Sequence, residues 1–134
     1  MTTVVRLVTR AELDEAHTTA RQVSVSARLE AELSDGRALV LLDDRGWAES
    51  ALGDGDLRAL LTPDSLAETA RTVVGPDEPH GGETAEEAAA AHWAALADGL
   101  ARRGVRTAPA ALARLPHAVD LGPRLRAWAG LGGG

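Results

Sequence analysis

The fold of this chain is decided by the stretch VSVSARLEAELSDGRALVLLD, residues 23–43. Apolar and polar residues alternate from Val23 to Leu33, a pattern typical of a strand with one buried face. Asp35-Gly36 then offers a two-residue turn that tolerates positive φ, and the apolar run 38–43 supplies a return strand. The stretch therefore predicts a two-stranded antiparallel hairpin.

A two-residue turn also fixes the register of the hairpin, and with it the side chains that share a face. It places Leu29 opposite Leu42 on the buried side. The other side then mixes charges with leucines and a tryptophan, which is typical of a recognition surface with a polar rim. We predict that this side binds a second copy of the chain or another protein, with an ion pair between Arg28 and Asp43. The alternatives are a site for a small-molecule or peptide ligand and an ordinary solvated face. The predicted binding residues are Arg28, Leu39, Leu41, Arg45 and Trp47.

Several helices and two further strands are predicted around the hairpin. Residues 3–8 favour a short strand, and Thr9-Arg10-Ala11-Glu12 has the pattern of a capping box that would begin a helix over about residues 10–21. Thr62-Pro63 and Thr84-Ala85-Glu86-Glu87 are start signals for two more helices. The remaining predictions are a loop over 45–61, a long helix over 85–103, short helices over 108–115 and 123–131, and a strand over 117–121.

These elements predict an α+β fold, in which a small antiparallel sheet carries three to five helices on one face. The length of 134 residues fits a single domain over residues 1–131 that can bury a core without disulfides or a structural metal. The last three residues, Gly132–Gly134, are expected to form a disordered tail.

The composition excludes several kinds of chemistry. The chain contains no Cys, Lys, Asn, Ile, Phe or Tyr, and all 14 cationic residues are arginines. Except for Cys, the missing residues have codons that begin with two A/T bases, which indicates a high-GC genome, most plausibly actinobacterial. Without Lys and Cys there is no Schiff base, thiol nucleophile or zinc–cysteine site.

Charge and hydropathy limit the compartment and the partners. No apolar run is long enough to span a membrane and no signal-like segment leads the chain, so we expect a cytoplasmic protein without membrane contact. The net charge of −6 disfavours nucleic acid as a partner. Residues 101–134 nevertheless carry six arginines against one acid, Asp120. This segment either folds back over the acidic body or docks on an acidic partner.

The candidate catalytic residues are His92, Asp43 and Asp44. Two adjacent carboxylates at a strand end can tune each other, although an Asp/Gly-rich turn gives the same pattern. Partial burial of His92 on the long helix can bring its pKa into the range useful for acid–base catalysis, although a hydrogen-bonded core histidine is the alternative. No two histidines have metal-ligand spacing, so we expect neither a metal nor a cofactor.

Three functions are compatible with these observations. The first is an interaction or accessory protein, acting as a homodimer or as a module that binds another protein. The second is a cofactor-independent enzyme that uses His and Asp/Glu on a small molecule or peptide. The third is a neutralising partner such as an antitoxin or immunity protein, for which an acidic body is suitable.

Overall fold

The computed structural model describes residues 2–19, 21–50, 57 and 61–130. Within these ranges the chain forms three long strands, three helices, a fourth strand and a last short helix. The strands are β1 (Val4–Leu13), β2 (Gln22–Leu33), β3 (Ala38–Ser50) and β4 (His117–Leu121). The helices are α1 (Pro63–Val73), α2 (Ala85–Ala101), α3 (Pro109–Ala113) and α4 (Pro123–Trp128).

The strands form one sheet in the order β3-β2-β1-β4. The first three strands are antiparallel neighbours, whereas β4 runs parallel to β1. A parallel neighbour needs a long crossover connection, which here contains the helices α1 to α3. The α+β class is therefore confirmed, with a mixed sheet and with a number of described helices inside the predicted range.

The predicted hairpin is present, and Leu29 lies opposite Leu42 as expected. Its turn is one residue longer than predicted, because the backbone N–H of Leu33 donates to the carbonyl of Arg37 at 2.8 Å. Gly36 completes this three-residue loop at φ +89°, a left-handed conformation common in such turns. The return strand continues to Ser50, so the prediction of a loop from residue 45 is wrong at its beginning; residues 51–56 and 58–60 lie outside the described residues.

The predicted hairpin register is correct at Leu29 and wrong on both sides of it. On the side of Leu29 toward the turn, Ala31 faces Leu39. On the other side, beyond Asp43 and Asp44, Ala27 faces Arg45. The shifts mark two bulges in β3, each of which inserts an extra residue and redirects the side chains that follow it.

The helix predicted over residues 10–21 is wrong. β1 continues to Leu13 and is followed only by a short 3-10 turn, Glu15–His17. Arg10 and Glu12 alternate with the buried Ala11 and Leu13, so the segment also has the period of a strand. The segment forms a strand rather than a helix because it pairs with β2 as far as Leu13, which lies opposite Val25.

Both longer helices begin where the sequence predicts. Thr62 caps α1 by accepting a hydrogen bond from the Ser65 N–H at 3.0 Å. Thr84 caps α2 by accepting one from the Glu87 N–H at 3.1 Å, and the Glu87 carboxylate accepts from the Thr84 N–H in return. These reciprocal bonds satisfy N–H groups that have no partner inside the helix.

The helices pack on one face of the sheet, over the buried alternate residues of β2. One core cluster joins Leu29 and Leu33 to Leu96 and Leu100 of α2. A second cluster joins Val23 and Val25 to residues of α1 and α4, namely Leu66, Ala70 and Leu125. α2 therefore covers the turn-proximal half of the hairpin, next to β3.

The opposite face of the sheet carries an ionic network around Glu30, which is only 6% exposed. The Glu30 carboxylate pairs with Arg10 at 3.1 Å and with Arg28 at 2.8 Å, and Arg10 also contacts Asp120 of β4 at 2.6 Å. A buried carboxylate needs such partners to offset its desolvation.

None of the helices in the described part of the chain is both long and apolar enough to cross a membrane. The predicted glycine tail, residues 132–134, lies outside the described residues.

Candidate interaction surface

β3 lies at the edge of the sheet, and α2 packs beside it. Between them run two clefts, with volumes of about 390 Å³ and 310 Å³. The clefts share Leu42, Ala95 and Leu96, so they adjoin along α2, and we call the two together the β3–α2 groove. The groove follows α2 from Ala88 to the end of the helix at Ala101, a distance of roughly 20 Å at the rise of an α-helix.

The middle of the groove is apolar and lined by small residues. Leu41 and Leu42 of β3 and Leu96 of α2 form its walls. α2 contributes Ala95, which is exposed, and Gly99 one helical turn later. Because small side chains at this spacing leave the helix backbone accessible, another element can approach α2 closely here.

One end of the groove is basic. Arg102 and Arg103, which follow the last turn of α2, line it and are exposed. Neither forms an ion pair within the described residues, so both guanidinium groups are available to an anionic group from outside. Arg103 also lines a neighbouring cleft of about 270 Å³ together with Arg37 and Arg106.

The other end of the groove is acidic. Asp77, Glu78 and Glu83, from the segment between α1 and α2, line it. Arg45 of β3 contacts Asp77 at 2.8 Å and donates a hydrogen bond to the Val73 carbonyl at 3.4 Å, which fastens this segment to β3. Three carboxylates against one guanidinium group leave this end negative.

His92 lines the acidic half of the groove, where its ring meets that of Trp93 edge-on with centroids 5.0 Å apart. Burial, followed by the charge of Arg45, lowers the pKa of His92, while Asp77 and a hydrogen bond with the Val74 backbone oppose this shift. The imidazole is therefore biased toward its neutral form. Its Nε2 atom is buried and has no hydrogen-bond partner among the described residues.

The structure gathers three of the predicted site residues in the groove: Leu41, Arg45 and His92. The predicted catalytic residues are not brought together. Asp43 lines a different cleft, with Arg10 and Arg28, and the Asp44 side chain is 80% exposed, 3.7 Å from Arg45. The carboxylates that share the groove with His92 are those of its acidic end.

The predicted binding face of the hairpin is not formed as one surface, because the bulges in β3 change which side chains lie together. Leu39 and Trp47 pack against the core, and the indole Nε1 of Trp47 is buried without a hydrogen-bond partner in the described part of the chain. Arg28 lies on the other face and pairs with Glu30 rather than with Asp43. The surface predicted from a regular hairpin is therefore wrong in its geometry.

Sequence reasoning missed the acidic end of the groove and its centre at Ala95. The Thr84 capping box did locate the start of α2, and therefore the position of the acidic segment before it. Arg102 and Arg103 belong to the arginine-rich segment 101–134, for which docking on an acidic partner was one of the two predicted alternatives. Nothing in the sequence pattern indicates that these residues meet β3, which lies many residues earlier in the chain.

Within the described ranges, no group of three or more His, Asp or Glu side chains is arranged to hold a metal ion. Comparison with protein-family models, with curated proteins and with solved structures found no match to this chain.

Proposed function

We propose that this chain is a protein-interaction module that binds its partner through the β3–α2 groove. The observation that carries this proposal is the composition of the groove, which has an apolar centre open to solvent between two ends of opposite charge. An apolar centre with a charged rim is the usual anatomy of a protein-binding surface. The charges at the two ends would orient a partner and select against wrongly charged ones.

Binding is favoured over acid–base catalysis by the surroundings of His92. A catalytic imidazole must present one ring nitrogen within hydrogen-bond reach of the proton that it moves. In His92 the Val74 backbone contacts the ring, and Nε2 is buried without a partner among the described residues, so this nitrogen is closed to a substrate. The carboxylates of the groove lie at its acidic end, where Asp77 is already paired with Arg45.

A substitution in the middle of the groove tests this proposal. Ala95→Arg places a long charged side chain at the apolar centre of the groove, while Ala90→Arg introduces the same side chain at another exposed position of α2. We would measure self-association by sedimentation and select binders from a random-peptide display library on each immobilised protein. Binding of either kind should be lost in Ala95→Arg and kept in Ala90→Arg.

A second pair of variants, placed outside α2, distinguishes loss of binding from an effect of the substitution on the helix itself. Leu41→Glu changes the β3 side of the groove, and Val5→Glu makes the same kind of change at a residue of β1 that is 44% exposed. Circular dichroism verifies that each variant is folded. If the natural chain neither self-associates nor selects any peptide, or if binding survives both Ala95→Arg and Leu41→Glu, the proposed function is wrong.

A further inference from the structure

We infer that the partner of the β3–α2 groove is a second copy of this chain, related by a two-fold axis that passes beside Ala95. This inference rests on the proposed function and names the partner of the same surface. A two-fold interface brings one patch against itself, so the patch must be complementary to its own rotated image. The β3–α2 groove has this property in both charge and shape.

The charges match because the two ends of one groove have opposite signs. When two α2 helices run antiparallel with Ala95 at the centre, residue spacing sets Ala88 of one copy at the level of Arg102 of the other. Ala88 lines the acidic end of the groove together with Glu78 and Glu83. Each basic end would therefore meet the acidic end of the other copy, and both ends would be neutralised at once.

The shapes match because the residues around the axis are small. The same antiparallel arrangement sets Ala91 of one copy against Gly99 of the other, with Ala95 facing its own symmetry mate. Ala91 and Ala95 are both exposed, and side chains of this size allow two helices to pack at the short end of the usual interaxial range of about 8–10 Å.

The edge of β3 contributes side chains to this contact rather than a continued sheet. Leu42 lies at the level of Ala95, since both line the two clefts, so it falls close to the same axis. The bulges on either side of Leu42 interrupt the regular hydrogen-bond ladder of β3. Bulges at a sheet edge oppose pairing with another strand. They also turn both Leu41 and Leu42 toward the groove, where the second helix would cover them.

A partner other than a second copy would have to carry an apolar centre and two opposite charges in the reverse order. A second copy meets these requirements without further assumption. Nucleic acid, which could contact Arg102 and Arg103, would have to approach the carboxylates of the acidic end as well. The observations therefore favour self-association.

Charge reversal at the two ends provides the test. Arg102→Glu with Arg103→Glu makes both ends of the groove negative, and Glu78→Arg with Glu83→Arg makes both ends positive. Each double variant alone would set like charges against each other, so its self-association should weaken about tenfold or more. A mixture of the two variants restores opposite charges at both ends and should form a mixed dimer at concentrations where neither variant associates with itself.

Sedimentation of the full chain, of each double variant and of their equal mixture measures these outcomes. Arg114→Glu with Arg126→Glu, two exposed arginines outside the groove, is the matched control and should leave self-association unchanged. The inference is overturned if the natural chain stays monomeric, if the mixture fails to associate, or if the control weakens association as much as the Arg102 and Arg103 change does. A monomer that still selects peptides at the groove would overturn only the second-copy inference and leave the proposed function standing. If the chain instead binds a single-stranded oligonucleotide, and the Arg102→Glu, Arg103→Glu variant does not, both proposals are overturned.

Discussion

The carboxylate of Glu12 on β1 accepts a hydrogen bond from the backbone N–H of Leu125 at 2.8 Å. Leu125 lies in the first turn of α4, whose N-cap residue, Gly122, has no side chain to satisfy that turn. The same Glu12 oxygen accepts a bond from the N–H of Leu13 at 2.7 Å. A side chain of the first strand therefore caps the last helix and fixes the C-terminal part of the fold to the sheet.

Loss of this cap should destabilise the protein. Glu12→Ala removes the acceptor from a helix N-terminus, which typically costs about 1 kcal/mol in the free energy of unfolding. Glu12→Gln keeps an oxygen acceptor and should cost less. Denaturant unfolding measures both changes, and equal losses for Ala and Gln would contradict the capping role.

Gly122 provides an independent check on the same contact. A Cβ atom at Gly122 would collide with the Glu12 carboxylate, so Gly122→Ala should displace the cap. The cost of Gly122→Ala should therefore be smaller in the Glu12→Ala background than in the natural chain. Additive costs in this double-mutant cycle would show that the two residues do not interact.

Glu12 also illustrates why a local pattern can mislead. With Thr9 it has the spacing of a capping box, and the sequence predicted that it would begin a helix at its own position. Thr9 is instead fully buried in β1, and Glu12 caps a helix that lies more than a hundred residues later. The predicted capping box is therefore wrong, and the helix that Glu12 does cap depends on tertiary packing that no local pattern contains.

A second stability prediction concerns α2. Thr84→Ala removes the hydroxyl that accepts from Glu87 N–H and should cost about 1 kcal/mol. Thr72→Ala is the matched control, because the Thr72 hydroxyl only bonds back to the Glu68 carbonyl within α1. Since Ala has the higher helix propensity, that change should be neutral or slightly stabilising. Thermal unfolding of both variants would contradict the assignment if Thr72→Ala were the more costly.

The hairpin turn supplies a third prediction. Gly36 has φ +89°, a region that β-branched side chains avoid and that Asn tolerates better. Gly36→Val should therefore lower the denaturation midpoint more than Gly36→Asn does. Apart from Gly36 and its chain neighbours, no atom of the described residues lies within 4 Å of the Cβ position, so any difference reports backbone strain rather than crowding. Equal midpoints would contradict the turn.

A fourth prediction concerns acid pH. Burial lowers the pKa of both His92 and His117, with further contributions from Arg45 and Arg71 respectively. The unfolded chain, with histidines near their ordinary pKa of about 6.5, then binds more protons than the folded chain just below that pH. The free energy of unfolding should therefore be greatest above pH 6.5 and fall as the pH drops through the unfolded value toward the lower folded values.

Replacement of the two histidines separates this effect from general acid denaturation. The decline just below pH 6.5 should be shallower in a His92→Gln, His117→Gln double variant than in the natural chain. His17→Gln with His80→Gln, at exposed positions, is the control. A control variant with the shallower decline would show that the half-buried His92 and His117 are not responsible.

The hairpin was predictable because its signal is local, an eleven-residue alternation followed by a turn sequence. The bulges around Leu41 and Asp43 were not predictable, because they leave no mark in the alternation of apolar and polar residues. The β3–α2 groove was missed for the same reason. Its apolar wall, Leu41 and Leu42, and its charged ends come from separate segments, and only the packed fold brings them together.

The proposed contact between two β3–α2 grooves about an axis beside Ala95 can be measured directly, because this chain contains no cysteine. A single Ala95→Cys change places two thiols across the axis, where a disulfide requires Cβ atoms only about 3.5–4.5 Å apart. Ala90→Cys, exposed elsewhere on α2, measures random collision. Under mild oxidation, non-reducing electrophoresis should show rapid covalent dimer formation for Ala95→Cys and slow formation for Ala90→Cys. Equal rates, or faster cross-linking through position 90, would contradict the proposed interface.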